Sequence, residues 1–331
     1  MIRATRTGLA LGLLILAGIT LPVAAATVPA PASSFPGKSI TIVVPTAAGG
    51  ANDAMARVLA QHMSVGLRTP VIVENRAGAN GAIASEYVAR AKPDGHTLLF
   101  GYIATHGIGP ALQRLRYDPV KDFVPVGMVA SSPTLLVVNT AVKATDVMQL
   151  VSLARNKEAQ LSYASAGNGT APHVTAELFR LVTGAELLHV PYKGSAPALL
   201  DVIAGNTQVM FPSLFTAYPQ IVNGRIRALA VAGETRTPLL ANVPTLKEAG
   251  VDGVSVDQWY AMFAPAATPA HVVRTLNRAL NDALADPAVS LKIAEQGAYV
   301  RAGTPAQLGE LVRAELRKWQ GVVQAAGIRP D

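Results

Sequence analysis

Short, unbroken apolar runs recur along this chain and alternate with segments whose apolar residues repeat at helical spacing. The runs cover residues 40–44, 71–74, 97–100, 135–138, 161–164, 187–191, 208–211 and 227–232; the helical segments cover 53–63, 83–91, 145–156, 171–181, 196–204 and 218–223. A continuous apolar run four to six residues long suits a strand covered on both faces, which occurs where helices flank a parallel sheet. The alternation therefore predicts an α/β architecture with helices on both faces of each sheet. A chain of 331 residues exceeds one ordinary core, so two lobes are expected. Two long helices close the chain. Thr268-Pro269 and Thr304-Pro305 each place an N-cap before a proline at the first helical position. On the last helix Leu308, Leu311, Val312, Leu316, Trp319 and Val323 share one face, with Trp319 expected as a core anchor.

Arg3 and Arg6 precede an apolar stretch from Gly8 to Thr20, and Ala24-Ala25-Ala26 follows as a small-residue cleavage site. This pattern predicts a secretory signal peptide over residues 1–26, cut after Ala26, and export to the periplasm. Residues 27–35, rich in proline and alanine, read as a flexible leader. Ile19 stands where a lipoprotein would carry its modified cysteine, so no lipid anchor is expected. The chain has no cysteine at all, which excludes disulfides, thiolate metal sites and a cysteine nucleophile. The formal charge of +7 is scattered, without the clustered stripe of a nucleic-acid binder. No nucleic-acid partner is expected, and a monomer is.

Chemistry concentrates in two loops. In Pro45-Thr46-Ala47-Ala48-Gly49-Gly50-Ala51-Asn52-Asp53 a buried strand gives way to small residues and then to a helix. Ser165-Ala166-Gly167-Asn168-Gly169-Thr170 repeats the arrangement before Ala171-Pro172-His173. Small residues let backbone approach a ligand, and the free N–H groups and positive dipole end of a helix favour an anion. Ser165 and Thr170 add hydroxyl donors. Each loop also has a bland reading, in which its glycines only turn the chain and Thr170 only caps a helix. Two such loops, one per lobe, argue for a shared anion site. Asp53 at a helix start could stabilise the dipole or receive a ligand amine; Lys193 could attract a carboxylate or sit in solvent.

Other signals fail. Gly37-Lys38-Ser39 lacks the leading glycine of a phosphate loop and precedes a strand. There is no G-x-S-x-G elbow and no H-E-x-x-H, and His173 with Glu177 makes only two ligands. No catalytic residues, metal site or cofactor are expected, so the chain reads as a binding protein and not an enzyme.

The segments 40–53, 70–79, 93–95, 117–123, 165–173, 189–194 and 243–250, with Trp259 and 264–269, run in one order over nearly the whole chain. Together they resemble the substrate-binding proteins of tripartite tricarboxylate transporters, the Bug receptors. The resemblance implies a two-lobed periplasmic-binding-protein type II fold, each lobe a mostly parallel sheet flanked by helices. A first crossing after the turn-rich segment 117–123 and a second near Asp257–Met262 place lobe one at 36–136 plus 260–331 and lobe two at 137–259. The resemblance also implies a small carboxylate ligand and delivery to the membrane components of a tripartite tricarboxylate-type transporter; docking on a membrane sensor is the alternative partner, and a periplasmic enzyme acting on an organic acid is the second alternative. Contacts to the ligand would come from Thr46, Ala47, Ala48, Gly49, Asp53 and Thr105, and from Ser165, Ala166, Gly167, Thr170, His173 and Lys193. This chain departs from the family at Thr46, where an aromatic is usual, and at Pro212, where many members carry an acid. Without that acid a ligand lacking an amino group is expected.

Overall fold

The apolar runs form two separate sheets in the computed structural model, which describes residues 1–2, 35–295 and 297–328. The expected signal peptide and almost all of the leader fall outside the described residues. From Phe35 onward the chain packs as one unit. The first sheet opens with β1 (Ile40–Val44), α1 (Ala51–Leu67), β2 (Val71–Asn75), α2 (Ala82–Ala89), β3 (Thr97–Tyr102), the short α3 (Gly109–Leu112) and β4 (Phe123–Pro133). The second comprises β5 (Leu135–Asn139), α4 (Val147–Arg155), β6 (Ser162–Ser165), α5 (Ala171–Thr183), β7 (Leu188–Pro191), α6 (Ser195–Ala204), β8 (Val209–Met210), α7 (Leu214–Val222) and β9 (Ile226–Val231). The chain then returns through β10 (Asp257–Pro265), α8 (Ala270–Ala285), α9 (Pro287–Ala294), β11 (Tyr299–Val300) and α10 (Pro305–Ala326).

Strand order is β11-β4-β10-β3-β1-β2 in the first sheet and β7-β6-β8-β5-β9 in the second. Both are mixed sheets and not mostly parallel ones. Three strands in each run parallel (β2-β1-β3 and β7-β6-β8), while β4, β10 and β11, and likewise β5 and β9, pair antiparallel. The reason is connectivity. Each antiparallel pair joins strands from separate passes of the chain, such as β4 with β10 and β5 with β9, so no single helical crossover links them and nothing forces them parallel.

The chain leaves the first sheet between Pro133 and Leu135 and rejoins it at Asp257. The expected divisions at 136/137 and 259/260 lie inside β5 and β10. β4 went unread in the sequence because Pro125 and Pro133 interrupt it. Pro125 is accommodated where the β4–β10 register shifts, opposite Phe263, as a proline in a sheet requires. The helix expected at 218–223 begins four residues earlier, because Ser213 caps it by accepting from Thr216 N–H.

The largest core fills both faces of the first sheet, where Ile40, Ile42, Leu98, Phe100, Met262 and Trp319 have no exposure. Trp319 is held by donating from Nε1 to Glu315 Oε2 at 2.9 Å, and Trp259 donates to the same oxygen at 3.0 Å. Truncating a side chain this buried costs roughly 3–5 kcal/mol. Two smaller cores flank the second sheet, one around Phe179 and Phe211, the other around Leu214 and Met210. The parallel strands end side by side in each half. That register sends the loops after β1 and β6 to the same edge of their sheets, which is where open α/β sheets bind ligands.

Candidate functional site

Between the two sheets lies a cleft of about 580 Å³, with walls from both halves. Thr46, Ala47 and Ala48 line it from the loop after β1; Ala166 and Thr170 line it from the loop after β6. Both loops lead into helix starts without a side-chain cap. The N-cap of α1 is Gly50, and its first helical bond runs from Ala54 N–H to Gly50 O. The N–H groups of residues 51–53 therefore lie outside the helical ladder. In α5 the first such bond is Val174 N–H to Thr170 O. Thr170 occupies the N-cap, but its hydroxyl turns back and donates to Gly167 O at 2.6 Å instead of capping the helix.

The first loop is braced by charge. Asp53, 4% exposed, accepts from Gly49 N–H at 2.9 Å and from Arg57 Nε at 3.0 Å. Arg57 reaches Asn75 Oδ1, and Asn75 donates to Thr46 O at 3.1 Å, closing the frame. Burial alone would raise the Asp53 pKa. The hydrogen bonds from Arg57, Gly49 and Asn75 and the guanidinium charge outweigh it and hold the carboxyl below its ordinary value. Asp53 thus stands behind the loop, not in the cleft.

The second loop is braced by a serine and two histidines. Ser165, fully buried, lies 2.7 Å from His189 Nε2 and accepts from Gly167 N–H at 3.1 Å. Gly169 N–H donates to His173 Nδ1 at 3.1 Å, which requires that nitrogen to be unprotonated. His173, His189 and Tyr163 form a stack behind the strand end.

Of the twelve residues expected at the site, Thr46, Ala47, Ala48, Ala166, Thr170 and Lys193 line the cleft. Lys193 is exposed at its rim. Gly49, Asp53, Ser165, Gly167 and His173 form the supports just described. Thr105 is fully buried behind the wall, bonded through Oγ1 to the backbone of Tyr102.

The sequence reading missed several lining groups: Asn52, Asn80, Tyr102, Tyr192, Gln258 and Tyr260. Asn80-Gly81 is a turn signature that marks the loop but not the wall it faces. Tyr260 lies on an apolar strand and carries no signal. Burial pushes its hydroxyl up to about 12, so it presents a neutral phenol. Two further groups at the first loop are unusual. Thr46 Oγ1 and Asn52 Nδ2 are shielded from solvent without a hydrogen-bond partner. Leaving such groups unpaired costs roughly 1–3 kcal/mol each.

Residues 78–81 form the third segment of wall. All four have positive φ: 132° at Gly78, 45° at Ala79, 51° at Asn80 and 87° at Gly81. Asparagine tolerates this region; alanine pays about 1–2 kcal/mol. Among the described lining residues no side chain is acidic, and Lys193 is the single cation. The cleft is an acid-free cavity of mixed apolar and polar groups with two helix N-termini at its edge. No group of three or more metal-ligating side chains occurs among the described residues.

A family model described as the tripartite tricarboxylate transporter family receptor matches residues 55–328. The chain belongs to that family. Its solved relatives include Rpa4515 of R. palustris with adipate, which superposes with a TM-score of 0.86 at 36% identity, covering 90% of this chain and all of that one. MatC of Rhodopseudomonas palustris, with bound malate, gives 0.84 at 35%, over 87% of this chain and 100% of MatC. The periplasmic binding protein BugD gives 0.85 at 33%, over 90% and 100%. The receptor therefore has the periplasmic binding fold, two helix-flanked sheets with a cleft between them. Its family consists of solute-binding receptors, not enzymes.

Proposed function

We propose that this receptor captures a small organic acid in the cleft, in the periplasm, and presents it to the membrane components of a tripartite tricarboxylate-type transporter. The observation that carries this reading is the convergence of α1 and α5, both uncapped, on one cavity whose lining holds no acid. A carboxylate there would meet free N–H groups from both halves and the favourable ends of two helix dipoles, each contributing about 0.3–1 kcal/mol and up to about 2 when partly buried. Thr46, Ala47, Ala48, Ala166 and Thr170 are the contacting wall in this reading, and Lys193 draws anions to the rim. Gly49, Asp53, Ser165, Gly167 and His173 act through the loops they hold, and Thr105 through the turn beneath them. The ligands of Rpa4515 and MatC, adipate and malate, support the choice of carboxylates.

Micromolar capture corresponds to about −8 kcal/mol, within reach of two helix ends, several hydrogen bonds and burial of the ligand's apolar atoms. Residues 1–26 serve export and are removed after Ala26, and the mature receptor acts as a monomer. The absence of any acid among the described lining residues extends the ligand prediction: an ammonium group would find neutral acceptors but no carboxylate partner, so plain and hydroxylated acids bind in preference to aspartate and glutamate. A thermal-shift screen of the mature protein with adipate, malate, succinate, aspartate and glutamate tests this, because a ligand that binds only the native state raises the melting temperature. No shift with any acid overturns the carboxylate reading; a selective shift with aspartate or glutamate overturns its restriction to amine-free ligands.

A further inference from the structure

Asn80 is the point at which the first half of the molecule reaches the anion loop of the second. A Cβ placed on Gly167 would stand 2.8 Å from Asn80 Oδ1, and one on Gly169 would stand 3.3 Å from Asn80 Nδ2. The carboxamide therefore lies against the bare backbone of both glycines. Leu112, also from the first half, comes within 2.8 Å of the same Gly169 position. Any side chain at 167 or 169 would occupy the place these two residues take. The glycines turn the loop, with φ of 119° and 75°, and they also leave room for a neighbour from across the cleft.

Asn80 is held from behind. Tyr102 OH donates to its carbonyl at 3.4 Å, and Gly81 N–H donates to Gly78 O at 2.9 Å. A Cβ at Gly81 would strike Thr105 Cγ2 and Pro45 Cβ at 2.7 and 2.8 Å, so the loop is seated directly on the end of β1 and on the turn after β3. Four consecutive positive φ values fix the direction of this segment. Strained backbone kept in place by its surroundings at a cleft commonly serves the binding state.

We propose that Asn80 is the closure residue of the cleft: seated on Gly167 and Gly169, it holds the two halves together over a bound acid and thereby sets the rate of release. This rests on the carboxylate-capture reading, and it adds a positioning residue to the site. Because Asn80 holds the halves and does not read the guest, its loss should affect every acid by the same factor.

The test is stopped-flow and thermal-shift measurement of the mature receptor with adipate and with malate, in wild type, Asn80→Gly and Asn80→Asp. Glycine adopts the left-handed conformation freely, so Asn80→Gly removes the carboxamide without straining the loop. It should release each acid about tenfold faster, while the association rate stays within about threefold. Asn80→Asp keeps the shape but sets a carboxylate beside the anion loop, and should reduce binding of both acids by about a hundredfold or more with no loss of melting temperature. If wild type binds none of the screened acids, the capture reading itself fails. If wild type binds and Asn80→Gly releases at the wild-type rate, or loses only association rate, or discriminates between adipate and malate, the closure role is wrong while capture stands. Should Asn80→Gly not fold, wild-type affinity in Asn80→Asp overturns the closure role by itself.

Discussion

The two loops that face each other across the cleft perform the same task with different chemistry. The loop after β1 is tied down by an ion pair, Asp53 with Arg57, that extends through Asn75 to Thr46. The loop after β6 is tied down by Ser165 and the imidazoles of His189 and His173. The difference follows from location. Arg57 is 54% exposed at the outer surface of α1, where water solvates the guanidinium, whereas the His173–His189 stack is enclosed between α5 and the strand ends. A charge is inexpensive at the first place and costly at the second. In both, the buried polar groups serve the backbone of the loop, so apart from Lys193 at the rim the described lining of the cleft carries no charged side chain.

The sharpest way to break the comparison is to spoil each wall equally. Ala48→Asp and Ala166→Asp each place a carboxylate in the cleft, and each should weaken adipate binding by about a hundredfold or more, since like charges brought together cost several kcal/mol. Calorimetry on both variants decides the matter. Loss in only one would mean that a single loop holds the acid.

Removing the braces should have smaller effects of different character. Asp53→Ala deletes the bond to Gly49 and the ion pair. Because Arg57 is largely exposed the pair is worth at most about 1 kcal/mol, so the total loss is about 2 kcal/mol. Ser165→Ala deletes two neutral hydrogen bonds and should cost about 1–2 kcal/mol. Urea unfolding in low salt and in about 1 M NaCl separates them: salt should shrink the first penalty and leave the second unchanged. Equal salt dependence would contradict the assignment of charge to one loop alone.

The smallest effect is a pH dependence. The Asp53 carboxyl is held below its ordinary value of 3.8 in the folded protein. Its stabilising contribution is therefore complete above that unfolded-state value and is lost as pH falls through the lower folded-state value. The stability difference between wild type and Asp53→Asn should be flat above about pH 5 and decline as the pH falls below 3.8 toward the lower folded-state value, whereas the Ser165→Ala penalty should not follow that curve. A difference that grows on acidification would have the wrong sign for a depressed carboxylate.

Much of this molecule could be read without coordinates. The alternating runs announced an α/β fold because a strand covered on both faces must be apolar throughout. The two Gly-rich loops announced themselves because each falls between a buried strand and a helix start. β4 was hidden because its two prolines are tolerated at an irregular pairing and at the end of the strand. That tolerance depends on β10, more than a hundred residues away.

Side chains near a loop were harder to place. Asp53 and Asn52 are adjacent in sequence, yet one braces the loop and the other lines the cleft, since successive helical residues differ by about a third of a turn. Composition and local pattern determined which segments could bind an anion, because backbone amides, small residues and helix starts are local properties. Tertiary structure alone decided which groups face the guest and that Asn80 would rest on Gly167 and Gly169. Facing is set by the packing of two sheets that meet only when the whole chain has folded.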